Sequence, residues 1–440
     1  MRSEPLCALV LLGMMASGSV SPAPLDEDKP WAVHAQATDV LQYHPPFRSP
    51  YQGQNSLPGH AETSNTLGAS VFVGVRPWRG GEAWLDMDMN QGFAPGNTEG
   101  VAGYVNGQGA KVGHKSPYYR PQRYFLRQTF DLGGGGEDEV DPDLFTFGGK
   151  TTKNRLTLTI GKFSLTDVMD DNAYAHDPAK DFLNWAIIDT GAWDYAADAW
   201  GFSYGAAADW RQGVWSLRAA AMDLSVTPNN AVLTTGFRQF QLDVEIERRQ
   251  SLLGREGKIK LLTFASRGRM GRFDDALRFA AATGYTPDTA LVRQYRTRYG
   301  LSLNIEQPLG DNLGVFLRAG FAQGQYEPYE YADIDHTVAG GLSIAGAKWG
   351  RKDDTLAMAL VVNEISKSHQ SYLAAGGLGI LVGDGRLPHP GAETVVEAYY
   401  SLAVFKGVHL TLDSQTVANP AYNRDRGPAE IVGLRLNGRY

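Results

Sequence analysis

The side chains with which this sequence could do chemistry stand alternately with oily ones. In EAWLDMDMN, residues 82–90, Trp84, Asp86 and Asp88 share one side of a run whose other side reads Ala83, Leu85, Met87 and Met89. In QLDVEIE, residues 241–247, Asp243 and Glu245 oppose Leu242, Val244 and Ile246. Arg127, Arg298, Arg318 and Glu397 take the polar side of similar runs. A carboxylate accepts hydrogen bonds, a guanidinium donates them and an indole offers an apolar face. Together such groups suit a neutral solute rich in hydroxyl groups. They equally suit one another, as pairs that merely wet a wall, and the residues alone leave both readings open. Nucleophilic catalysis asks for a nucleophile beside a base and an orienting group. The nine histidines are scattered along the chain, so an outer-membrane hydrolase is the weaker reading and no catalytic residue is expected.

Residues alternating in this way must be carried by strands. About sixteen such segments recur from 32–43 to 429–440, most near ten residues long, which is the length a tilted strand needs to cross a bilayer. Short connections such as RPWRGG, RQG and FKG alternate with long ones. Short turns on one side and long loops on the other describe an all-β, antiparallel transmembrane barrel with periplasmic turns and extracellular loops. Closure satisfies every backbone edge in hydrocarbon, the oily face meets lipid and the polar face meets water inside. Barrels of 16 to 18 strands leave an aqueous channel. The connection 133–154 (GGGGEDEVDPDLFTFGGKTTKN) breaks the rhythm, being long where a short turn is due; its acidic, Gly-rich start is read as a solvated turn and not as a metal site.

The connection 165–198 is also unusual. Phe182, Trp185 and Trp193 crowd a segment that should be exposed, with Asp177, Asn184 and Asp189 among them. It is expected to fold into the barrel and narrow the pore, with Asp177-Pro178 opening a short helix.

Composition sets the outer bounds. The 440 residues carry 41 basic and 48 acidic side chains, a net charge of -7 that leaves no footprint for nucleic acid. Residues 1–23 read as a cleaved secretory signal with the only cysteine, Cys7, inside it, and 24–440 as a single barrel domain. The chain ends on Tyr440 after an alternating strand, a signal for the outer-membrane assembly machinery.

Three separated stretches resemble the carbohydrate-selective porin family: HAQATDVLQYHPPFRSPYQGQNSL, NAYAHDPAKDFLNWAIIDTGAWDYAADAWGFSYG, and ETVVEAYYSL continuing to the C-terminus. The resemblance implies a sixteen-stranded pore in the bacterial outer membrane, surrounded by lipid and lipopolysaccharide. It would pass sugars such as glucose by diffusion, without a cofactor, and would form a homotrimer. It also implies that Asp177 to Trp193 is the constriction, faced by wall residues Arg127, Asp243, Glu245, Arg318 and Glu397. A general or anion-selective pore, or a polysaccharide export channel, is the alternative.

Overall fold

The computed structural model describes residues 29–109, 111–229 and 231–440, so the expected signal 1–23 lies outside the described residues. Wherever apolar and polar residues alternate, the backbone is extended. The chain begins with β1 (Trp31–His44), β2 (Glu62–Trp78), β3 (Gly81–Phe93) and β4 (His114–Asp131). A small hairpin of β5 (Glu137–Val140) and β6 (Gly149–Thr152) follows. Next come β7 (Arg155–Phe163), β8 (Ser203–Gln212), β9 (Trp215–Asp223), β10 (Phe240–Leu252) and β11 (Arg255–Met270). Then follow β12 (Gln294–Pro308), β13 (Leu313–Ala322), β14 (His336–Ala345) and β15 (Thr355–Glu364). The chain closes with β16 (Glu393–Phe405), β17 (Val408–Ala418) and β18 (Ala429–Arg439).

All of these except β5 and β6 form one closed antiparallel barrel of sixteen strands. Its seam joins β1 to β18 in a register running from Gln36↔Arg439 to Tyr43↔Val432. At the end of that seam Ala35 and Tyr440 exchange backbone hydrogen bonds of 2.9 Å. No strand edge is left for hydrocarbon to meet, as a lipid-embedded sheet requires.

The outer face is oily where alternation places it. On β3 and its neighbours Val71, Val73, Leu85, Met87 and Leu126 point outward, as do Leu242, Val244 and Ile246 on β10. Trp31, Trp78, Trp215, Trp349 and Phe405 are exposed near the short-turn end, and Tyr43, Tyr119, Tyr295 and Tyr299 near the other. These are the two aromatic belts of a membrane barrel.

Some boundaries differ from expectation. β2 begins at Glu62 and β4 at His114, because both strands continue past the bilayer length into the long-loop end. β8 begins only at Ser203, because Asp198 holds the preceding residues in a turn, its amide donating to the Phe202 carbonyl at 2.7 Å. Asp177-Pro178 opens a single turn and no helix: the Asp181 carboxylate takes the amides of His176 and Asp177 at 3.1 and 3.0 Å and closes it. The helix of this segment is Trp185–Ile188, capped by Asn184, whose side chain accepts from the Ala186 amide at 3.1 Å. Two further helices, Phe273–Thr283 and Lys367–Ala374, sit at the long-loop end with Phe273 stacked 4.3 Å from His369.

Candidate functional site

Sixteen strands enclose more room than their own side chains fill, so what occupies the lumen decides what the barrel can do. Segment 164–202 runs along the inward faces of β10 to β18, and the charged side chains there hold its backbone. Arg318 donates to the carbonyls of Ala175, Ile187 and Asp170 at 2.7, 2.8 and 2.8 Å. Arg435 donates to those of Pro178, Asp181 and Lys180 at 2.6, 2.8 and 2.9 Å. Glu397 accepts from the amides of Leu183 and Asn184, at 2.5 and 2.9 Å. Glu245 takes the Asp170 amide at 2.8 Å, and Asp243 takes the Trp193 indole N–H at 3.0 Å. The wall is small enough to admit the segment. A methyl group on Gly320 would come within 2.6 Å of the Thr190 Cγ2, and Ala339, Ala357 and Ala359 are buried beside it.

The other side of the lumen is open. A cavity of about 860 Å³ lies between this segment and the opposite wall, where Gln36, Ser70, Asp88, Asn90, Gln122 and Arg123 face it. Aromatic rings border it from the loops. Trp185 lies 6.5 Å from Tyr104 and 5.2 Å from Tyr331, and Tyr195 lies 4.9 Å from Tyr331; Trp200 and Phe202 also border the cavity. The Tyr104 loop is fixed to the segment through its backbone, the Trp185 amide donating to the Tyr104 carbonyl at 3.0 Å.

The expected site residues therefore separate into three groups. Asp88, Asp177, Trp185 and Asp189 border the cavity. Asp243, Glu245, Arg318 and Glu397 are buried against segment 164–202, and so is Arg298, whose partners Asp194 and Asp335 lie at 3.4 Å. Phe182, Asn184 and Trp193 are the segment's wall-facing side; Phe182 packs 5.8 Å from Phe316 and 5.0 Å from Tyr399. Trp84, Asp86 and Arg127 form the third group, next to the β5–β6 connection. Asp86 pairs with Arg123 at 2.8 Å, Arg127 with Glu82 at 3.2 Å, and Trp84 lies 4.8 Å from Phe147.

Charge is uneven around the cavity. Arg218, Lys260, Arg298, Arg318 and Arg435 are spent on the sealed wall, while aspartates outnumber cations around the open space. Two acids of the hairpin are paired within it, Lys150 facing Glu137 at 3.9 Å and Lys153 facing Asp138 at 3.5 Å. No cluster of metal-ligating side chains occurs among the described residues.

Sequence reasoning passed over Tyr104, Tyr331 and Trp200, which lie in loops where no periodicity tells direction. It also passed over GFSYG at 201–205, which has the G-x-S-x-G spacing. Ser203 opens β8, fully buried, and its hydroxyl donates to the Asp223 carbonyl at 2.5 Å. It is a strand residue and not the strand-to-helix turn that exposes a nucleophile.

Residues 74–440 match the model of the carbohydrate-selective porin family, OprB. The chain belongs to that family. The porin's fold is similar to the high-pH structure of OprB from Pseudomonas putida, with a TM-score of 0.69 at 12% identity over 94% of this chain and 95% of that one. The outer membrane channel DcaP of Acinetobacter baumannii gives a TM-score of 0.52 at 11% identity, over 93% of this chain and 97% of that one. No curated protein matches this porin in sequence. Family and fold together place it in the bacterial outer membrane, with the short turns on the periplasmic side.

Proposed function

We propose that this porin passes sugars by selective passive diffusion, monosaccharides such as glucose and small oligosaccharides, and that segment 164–202 is the constriction that selects them. The observation that carries this reading is the lining of the open cavity, where Trp185, Tyr104, Tyr331 and Trp200 alternate with Asp88, Asp189 and Arg123. A pyranose has apolar C–H faces and a rim of hydroxyls. The rings take the faces, and the carboxylates and guanidinium take the hydroxyls. Leaving such polar groups unmatched costs a wrong solute more than a missing apolar contact would.

The competing reading as an anion-selective pore is disfavoured by the same lining, which is acidic. The reading also includes insertion by the outer-membrane assembly machinery and a surround of lipid and lipopolysaccharide, supported by the closed barrel and its oily outer face.

Liposome swelling with a panel of mono- and disaccharides and size-matched acyclic polyols tests the sugar reading. Ring sugars should enter faster than polyols of equal size. If every solute falls on one line of rate against size, the pore is general and the sugar reading is lost.

A further inference from the structure

The connection at 132–154 is long where a barrel of this kind needs only a tight turn, and it sits at the periplasmic end. It does not hang free. Gly133, Gly134 and Gly136 all have positive φ, between 71 and 77°, and turn the chain back to the hairpin β5–β6. That hairpin carries the tip Asp141–Gly148 into the mouth of the barrel.

The tip is held by inward side chains of the wall. The Leu144 carbonyl lies 3.0 Å from His34 Nδ1, and Arg127 donates to the Phe145 carbonyl at 3.2 Å. Phe147 is buried between Trp84, at 4.8 Å, and the Arg76 guanidinium, 4.2 Å over its ring. Phe145 lies 6.3 Å from Phe72 with the Arg123 guanidinium 5.0 Å over its ring. The other sides of Leu144, Phe145 and Thr146 border the open cavity.

Across the cavity stands the constriction segment itself. Arg439 joins the two, reaching Asp143 of the tip at 3.6 Å and pairing with Asp177 of the segment. Water passing down the lumen therefore meets an element from each membrane side at the level of Arg439.

We propose that the hairpin tip, through Leu144, Phe145 and Thr146, is a second constriction and specificity element at the periplasmic exit, in series with segment 164–202. Its occupant is the permeating solute, whose apolar face meets the Phe145 ring as it leaves. This rests on the chain being a channel, which the family supplies, and only its last clause depends on the solute being a sugar.

The test separates the two. The porin's only cysteine is Cys7, so Thr146→Cys adds the sole cysteine of residues 29–440. In planar bilayers with potassium chloride alone, a charged methanethiosulfonate reagent should remove about half or more of the open current of this variant and none of the parent's, because it narrows an aqueous path. Phe145→Ala should raise salt conductance and Phe145→Trp should lower it. Opposite signs at one position are not produced by misfolding, and channels that still open show that the barrel has closed. An unmodified current with Thr146→Cys, or equal conductance in both Phe145 variants, overturns the proposal. Unequal conductance with unchanged sugar block keeps the narrowing and removes the solute contact, whatever the swelling experiment says of sugars.

Discussion

The wall of β10 to β18 and the wall of β1 to β4 obey the same alternation and carry the same residue types, yet their inward side chains meet different things. On the first wall Arg318, Arg435 and Glu397 are buried and spend their hydrogen bonds on the backbone of segment 164–202. On the second, Asp88 borders open space, and so does Arg123, although its guanidinium also pairs with Asp86 and with Asp167 of the segment at 2.8 Å. A buried polar group must be satisfied by protein, whereas one facing a channel can be satisfied by water or by a solute. The same carboxylate chemistry thus holds backbone on one side, at Glu397, and is left to the open cavity on the other, at Asp88. The segment between the walls has two faces for the same reason: Phe182, Asn184 and Trp193 lock, while Trp185 and Asp189 present.

The largest effect should come from breaking the clamp. Arg318→Met fills similar volume but strips three carbonyls of their donor. Unpairing a buried network of this kind costs about 3–5 kcal/mol. The variant should unfold at lower temperature in detergent, and its single-channel conductance should rise and become noisy as the segment leaves the wall. A stable variant with parent conductance would mean that the segment is held by its apolar contacts and not by the charged wall.

Much of this architecture can be read from the sequence. Period-two alternation gives the direction of each strand side chain, so the sixteen barrel strands, the lipid face and the inward set including Asp243, Glu245 and Arg318 follow from it. Aromatic density alone marks 165–198 as a segment that must be buried somewhere. Alternation says nothing about what an inward residue meets, because that depends on partners far along the chain. Glu397 and Leu183 are separated by 214 positions, and no local pattern joins them. The same limit hides the tip at Asp141–Gly148, which reads as an over-long turn until His34 and Arg127 are seen to hold it. Tyr104 and Tyr331 lie in loops, where direction itself has no period.

A smaller effect should distinguish the two faces of the segment. Phe182 is fully buried and Trp185 borders the cavity. Trp185→Ala should weaken current block by a bound sugar about three- to tenfold, the equivalent of an aromatic contact of about 0.5–1.5 kcal/mol, and, because the ring is also packed in the core, should lower thermal stability as well. Phe182→Ala should lose about 3–5 kcal/mol of stability while sugar block persists in the channels that form, so that sugar block and not stability separates the two rings. Equal sugar block in parent and Trp185→Ala would remove the ring from the solute path.

The smallest effect concerns charge, and it tests whether the loop residues at the cavity act as the open wall does. Burial pushes the Asp189 carboxyl up to about 6, partly offset by His176, and pulls the Lys111 ammonium down to about 8, partly offset by Glu330. Both residues border the channel. As pH rises through about 6, Asp189 gains its negative charge; as it rises through about 8, Lys111 loses its positive one. Each step makes the lining more negative by one unit, so cation preference should climb twice between about pH 5 and 9. One charge in water is worth about 1 kcal/mol at close range and less in salt, which limits each step to roughly fivefold or less in permeability ratio. Reversal potentials in a potassium chloride gradient read the two steps. Asp189→Asn should delete the lower and Lys111→Met the upper, each leaving the other in place. A flat profile in the parent would show that these groups are shielded from the permeating ions, and that the loop side of the cavity belongs with the sealed wall.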